Sequence, residues 1–368
     1  MDKHNYTPTD DEYQKIRRNI RKFKNALAMK IEENGILKRH RKLKNAKMLA
    51  DAICLMITNN LSFRALSEIM AVKYDVRMSD TAWEKQIEKC AKAFYNASTE
   101  IFLTSKNKAN YKGQIYLVDA SNIPEEGKKG VSVRLHCSYN LNRHDIDETY
   151  ISDWRKAESL CNFNIHPDTL YIADRDYGKA GQMAYILSHN ADFLIRITPN
   201  QICLYADQEC VNKISFRDIL QNSKKDSIGF PCYIRYRKTC YPIWIEASKI
   251  PDNKLDKVAR RQKRLAQRKQ CKFSENSGLF SKWVILATSI RNPHIDLLKT
   301  YASRWQIELL FKRSKTLFRF RRIKRGSQKY AIVMTHLWVA LICFASGLSA
   351  LFSLRPFDFF SIFATCFA

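Results

Sequence analysis

A change of hydrophobic rhythm near residue 110 constrains this chain more than any other feature. From about residue 44 to 103 the apolar residues recur at helical spacing, with breaks near "NNLS" and "KYDVRMSD". "LSFRALSEIM" reads as one helix capped by Ser62, and "SDTAWEKQIEKCAKAF" as another, capped by Ser79 or Asp80, whose early acids suit the helix dipole. Two helices on a short connector have the form of a helix-turn-helix, although any helical bundle contains such pairs. Beyond the linker-like "SKNKANYKG" short β runs take over. "QIYLVDA" (114–120), "VSVRLHCSY" (131–139) and "DETYIS" (147–152) suit three neighbouring strands. A helix is expected from Trp154 to about Cys161, then a strand "TLYIAD" (169–174), a helix from about Lys179 to His189, and a strand "DFLIRIT" (192–198). Strands first, then strand–helix–strand, predict an α/β domain with a mixed sheet.

Residues 199 to about 280 break that rhythm. They hold the strand-like "CYIRYRK" and "PIWIEAS", then "KLDKVARRQKRLAQRKQCK", with nine basic residues against one acid. Such a run is either a solvated helical face or one turned to DNA. The sheet pattern returns with "KWVILATS" (282–289). The expected division is a helical, DNA-binding region at 1–110, with a basic arm over its first 35 residues. A catalytic domain follows in two parts, 111–198 and 282–368, separated by a mainly β insertion with a basic segment at 199–281.

Charge narrows the partners. Lysine plus arginine number 63 against 36 acids, a formal charge of +27 on 368 residues. That imbalance favours a polyanion, nucleic acid before an anionic membrane surface. The 11 cysteines form no C-x-x-C pair, so reduced, buried thiols in a cytoplasmic protein are expected rather than a zinc site. The N-terminal stretch is charged throughout, and no signal peptide is expected. From Ala331 to Leu354 there is no charged residue. That run reads as a buried C-terminal helix, interrupted by Thr335, His336, Ser346, Gly347 and Ser349. A membrane span is the competing reading.

The chemistry centres on "YASRWQIELLFKRSK" (301–315). On one continuous helix Tyr301, Arg304, Glu308 and Lys315 fall within an arc of roughly 60°, with Lys312 close by. Ile307 and Leu310 fall well away from that face and can bury. A Glu308–Lys312 surface pair accounts for two of these residues and leaves the rest unexplained. Two further carboxylates follow apolar runs: Asp119 after "IYLV" and Asp174 after "LYIA", with Asp176 in "ADRDYG" a rival to Asp174. Ligands collect beyond the carboxyl ends of strands, although an aspartate there is also an ordinary turn residue. Three carboxylates at a few ångströms need a compensating cation. Magnesium prefers oxygen ligands, and a pair of such ions can clamp the attacking and leaving oxygens of an in-line phosphoryl displacement. Glu308 in its cationic setting then makes sense as a metal ligand among residues that hold phosphates.

The spacing Tyr–x2–Arg–x3–Glu–x6–Lys, at Tyr301, Arg304, Glu308 and Lys315, resembles the YREK signature of DDE transposases of bacterial insertion sequences, the family of insertion sequence four. "VDASNIP" with "RLHCSYNL" resembles the block around that family's first catalytic aspartate, and "YIADRDYG" the block around its second, which favours Asp174 over Asp176. The likeness runs from about residue 40 to about 345. It implies an RNase H-like catalytic domain and two magnesium or manganese ions held by Asp119, Asp174 and Glu308. It also implies DNA phosphates gripped by Tyr301, Arg304 and Lys315, with Lys312 beside them. "WVILATS" resembles a family segment whose tryptophan stacks on a flipped base, which makes Trp283 a candidate, with a place in the sheet core as the alternative. The implied partners are double-stranded DNA, at terminal inverted repeats and at a target, and a second copy of the chain in a synaptic dimer. No membrane is implied, and the location is cytoplasmic, at the nucleoid. A departure is the short stretch after the apolar helix, "FDFFSIFATCFA". It opens the alternative of a degenerate copy that binds element ends and represses.

Overall fold

The computed structural model describes residues 10–37, 42–59, 61–90, 93, 113–127, 133–143, 145–268, 270, 275–290, 295–317, 323, 331–332 and 334–335. In chain order the elements are α1 (Asp10–Glu33), α2 (Ala46–Thr58), α3 (Phe63–Tyr74), α4 (Asp80–Lys89), β1 (Ile115–Ile123), β2 (Val133–Asn140), β3 (Asp145–Asp153), β4 (Leu170–Ala173), α5 (Ala180–Ser188), β5 (Asp192–Arg196), β6 (Leu204–Tyr205), α6 (Phe216–Asn222), β7 (Ser227–Tyr236), β8 (Thr239–Lys249), α7 (Asp252–Arg268), α8 (Glu275–Ser281), β9 (Trp283–Thr288), α9 (Leu297–Ala302) and α10 (Trp305–Leu317). The chain divides into two compact units. One comprises Met1–Asn110, Ala120–Ala157 and Ile307–Ala368, the other Tyr111–Asp119 and Glu158–Gln306.

In the first unit, α1 buries Ile20, Phe23, Leu27 and Ile31, a three-and-four spacing that forms one apolar stripe. It packs on α2, with Lys24 Nζ also 3.1 Å from Asp51 Oδ1. The caps follow the sequence reading. The Ser62 hydroxyl accepts the Ala65 N–H at the start of α3, and Ser79, rather than Asp80, accepts the Ala82 N–H at the start of α4. Asp75 closes α3 in the left-handed region, φ 52°, and donates its N–H to Met70 O. Leu66 and Met70 face inward from α3, Trp83 and Ile87 from α4. The strand order here is β3-β2-β1. Antiparallel β2 and β3 run in register from Val133↔Asp153 to Asn140↔Asp145, with a bulge between Ser138 and Tyr139. Arg143 in the connecting turn reaches Asp145 at 3.2 Å and Asp147 at 3.3 Å.

In the second unit the order is β1-β4-β5-β9-β8-β7-β6. Strands β1, β4 and β5 are parallel and the others antiparallel, so the sheet is mixed. The near-continuous apolar runs of β4 and β5 are what a parallel strand covered on both faces requires. Tyr116, Val118, Tyr171, Ala173, Phe193 and Ile195 form a core with Met183 and Ile186 of α5. Helix α5 also lies against the β7–β8 hairpin, where a Cβ on Gly181 would come 2.8 Å from the Tyr236 ring; only a glycine permits that approach without moving the ring.

Two expectations change. The helix expected from Trp154 to Cys161 does not form. Residues 154–159 are turn and loop, followed by one 3-10 turn at Leu160–Asn162. A long-range partner replaces the helical ladder: buried Gln182 on α5 accepts the Leu160 N–H at 2.9 Å and donates to Glu158 O at 3.4 Å. The stretch expected as a mainly β insertion holds α6, α7 and α8 as well as β6–β8, and β8 pairs with β9 within the main sheet. The basic run is α7, with Leu255, Val258 and Ala266 half-buried and Lys254, Lys257, Arg260, Lys263 and Arg264 exposed.

Of the described cysteines, Cys54, Cys90, Cys137, Cys210 and Cys232 are buried thiols, and burial raises Cys54 and Cys232 to about 12. Of the apolar run 331–354, Ala331, Met334 and Thr335 are buried, and the Thr335 hydroxyl donates to Ala331 O at 2.8 Å. The remainder, Ile332 excepted, lies outside the described residues, among which no helix is long and apolar enough to cross a membrane.

Candidate active site

The site grows out of the β1–β4 register. Val118 pairs with Ala173 on parallel neighbours, so Asp119 and Asp174 occupy the next step on adjacent chains. Adjacent strands lie about 5 Å apart, so the two aspartates follow directly on neighbouring paired positions. Asp119 is not a strand terminus as the apolar run suggested, because β1 continues to Ile123. Asp174 does leave its strand: it caps the 3-10 turn Arg175–Tyr177, its Oδ1 accepting the Asp176 N–H at 2.9 Å.

Near these residues the second unit sets Arg304 and the Tyr301 phenol. Arg304 Nη1 lies 3.6 Å from Asp119 Oδ2, with both side chains mostly buried, at 16% and 14% exposure. The same guanidinium lies 5.8 Å from the centre of the Tyr301 ring. Burial raises the Asp174 carboxyl above its ordinary value and neighbouring Asp176 adds to the rise, against the Asp176 N–H bond and the opposing pull of Arg304 and Arg175. Burial likewise raises the Tyr301 phenol, opposed by Arg304 and Arg196.

Among the described residues, the three acids whose oxygens converge within 4.8 Å of one another are Glu158, Asp174 and Asp176. Sequence reasoning set Asp176 aside and missed Glu158, which reaches Asp174 only because the segment before α5 folds back onto Gln182. No linear signal marks it. A half-buried aspartate with a raised pKa among all-oxygen donors is an environment that a hard divalent cation would relieve, so the donor set fits magnesium or manganese.

The helix expected to carry Tyr301, Arg304, Glu308 and Lys315 is two helices. Tyr301 lies on α9, Arg304 in the junction and Glu308 and Lys315 on α10. At the junction Ser303, Arg304 and Gln306 donate to Thr300, Tyr301 and Ser303 three residues back, and the Ser303 hydroxyl also bonds Thr300 O. That tightening ends the 100° count on which the shared arc rested. In the first unit, half-buried Glu308 lies in the first turn of α10, which buries Ile307, Leu310 and Phe311. Lys312 is exposed, and Lys315 Nζ donates to Asn122 O of β1 at 2.9 Å. Trp283 is 5% exposed and belongs to the sheet core, the alternative to an open base platform. Trp305, beside Arg304, is instead 54% exposed.

The mixed sheet thus carries Asp119 on β1 and Asp174 just beyond β4, with an arginine near the first and an acid-rich loop around the second. The family model described as Transposase DDE domain matches residues 110–344, and the chain belongs to that family. Its similarity extends to two Escherichia coli proteins. The putative transposase InsL for insertion sequence element IS186A of strain K12 is 24% identical over 302 residues, 77% of this chain and 79% of that protein. The transposase for insertion sequence element IS421 is 24% identical over 303 residues, with the same shares covered.

Proposed function

We propose that this chain is an active transposase that cuts DNA strands at the ends of an insertion sequence and joins the freed 3′ ends to target DNA. The observation that carries the reading is the Val118↔Ala173 register, after which Asp119 and Asp174 are the next residues on the two chains, with Arg304 Nη1 3.6 Å from Asp119 Oδ2. With Glu308 these would hold two magnesium or manganese ions on an RNase H-like scaffold of the YREK type. Bound metal would supply activation of a water or 3′-hydroxyl and neutralisation of charge building on the phosphate. The protein's own contribution is positioning. The Arg304 guanidinium can exchange the Asp119 carboxylate for a DNA phosphate, and Tyr301 steadies it from the ring side. Lys312 and Lys315 add cations along α10, and the α3–α4 pair is the candidate reader of terminal inverted repeats. Two copies would bridge the two element ends at the nucleoid.

The test is strand cleavage of DNA carrying the repeats that flank the gene, with magnesium or manganese, comparing wild type with Glu308→Gln. Nicking at the repeat boundary by wild type alone supports the reading. Cutting retained in the variant sinks the role of Glu308. Specific binding without cutting by wild type leaves a repressor-like copy.

A further inference from the structure

We propose that the first unit carries a path for an unpaired DNA strand, formed by Arg134, Trp154, Arg155, Lys156 and Lys315 around Asn122. It rests on the reading above only in taking DNA as the polyanion. A chain of hydrogen bonds links Lys315, Arg134 and Lys156. Lys315 Nζ donates to Asn122 O at 2.9 Å, and Arg134 Nε donates to Asn122 Oδ1 at 3.0 Å. Arg134 Nη1 donates to Lys156 O at 2.9 Å. Lys156 Nζ donates to Tyr150 Oη at 2.9 Å and stands 4.2 Å from the centre of that ring. Three cations from α10, β2 and the loop after β3 are thereby held in one neighbourhood, and Arg155 precedes Lys156 in that loop. Asp153 shapes the turn, its Oδ1 accepting the Arg155 N–H at 2.7 Å.

The aromatic member decides the kind of strand. Trp154 is 56% exposed, with the Arg155 guanidinium 5.6 Å from its ring centre. An indole in solvent among fixed cations is the combination that stacks bases while phosphates run along the positive side chains. Bases inside a duplex are already stacked and gain little from it, so the surface favours a single strand. The same loop is where the expected helix failed to form. Had residues 154–161 been helical, Trp154, Arg155 and Lys156 would have pointed in three directions about 100° apart.

The experiment is anisotropy of a labelled oligo(dT) strand and of a labelled duplex, in EDTA so that no cutting is required. The proteins are wild type, Trp154→Ala, Trp154→Phe and Arg155→Gln/Lys156→Gln. Trp154→Ala should weaken oligo(dT) binding about tenfold and duplex binding far less, with Trp154→Phe restoring most of the loss. The double variant should flatten the salt dependence by about 1.4 in log–log slope. Oligo(dT) binding unchanged in Trp154→Ala overturns the proposal, as does an equal loss on duplex. Failure of wild type to cut element ends with metal refutes the proposed function and leaves this binding result standing.

Discussion

Removing the Arg304 guanidinium isolates what the acidic site costs the fold. At 3.6 Å, and at an effective dielectric constant of about 20, its attraction to Asp119 is about 5 kcal/mol before desolvation is counted. The two groups are 16% and 14% exposed, so water screens the pair only in part. Breaking a fully buried pair costs about 3–5 kcal/mol, and this slightly wetter one should cost about 2–3 kcal/mol in Arg304→Ala. In EDTA that corresponds to a melting temperature lower by about 5 °C. Magnesium should then stabilise the variant more than it stabilises wild type, because a cation bound at Asp119 replaces the charge that was removed. Arg304→Lys should lie between the two. The assay is thermal unfolding of the three proteins in EDTA and in a magnesium series. Equal melting temperatures in EDTA would show that the pair contributes nothing. Equal magnesium responses would refute the idea that guanidinium and metal compete for one carboxylate.

Three further outcomes follow from burial and charge. Trp283→Ala should cost about 3–5 kcal/mol in denaturant unfolding, since the indole fills sheet core; an unchanged midpoint would return Trp283 to the candidate DNA contacts. Asp174 has a raised folded pKa, so its contribution to stability is present at low pH and is lost as pH rises through that value; Asp174→Asn should therefore stabilise the metal-free protein at neutral pH and not at about pH 3, as parallel melts would reveal. His136 is fully buried, its Nε2 3.0 Å from Ser152 Oγ, and burial, with Arg134 and Lys156, lowers its pKa from 6.5 to about 4. The unfolded chain takes up the proton first, so stability should fall by about 3 kcal/mol as pH drops from about 6.5 to about 4, and His136→Asn should flatten that slope in urea titrations.

Much of this chain was legible residue by residue because local chemistry decides it. Ser62 and Ser79 cap helices where a hydroxyl meets free backbone N–H groups, and "LYIA" and "DFLIR" form strands because their apolar runs suit a sheet covered on both faces. Asp119 and Asp174 could be singled out by their place after such runs, and the Tyr301–Arg304–Glu308–Lys315 spacing led to the family directly. What tertiary structure alone decided are the relations between segments distant in sequence. The Val118↔Ala173 pairing sets two aspartates in step. Gln182 satisfies the backbone at Glu158 and Leu160, which undoes a locally plausible helix and carries Glu158 to the acidic loop. Trp283 became core because β9 pairs with β8 inside the sheet and Leu279 and Phe280 of α8 pack on the same cluster, and the junction at Ser303 split one amphipathic pattern into two helices. Periodicity measures the angle between neighbours on one element, whereas a site is set by which elements hydrogen-bond and pack together, and that pairing is a property of the whole chain.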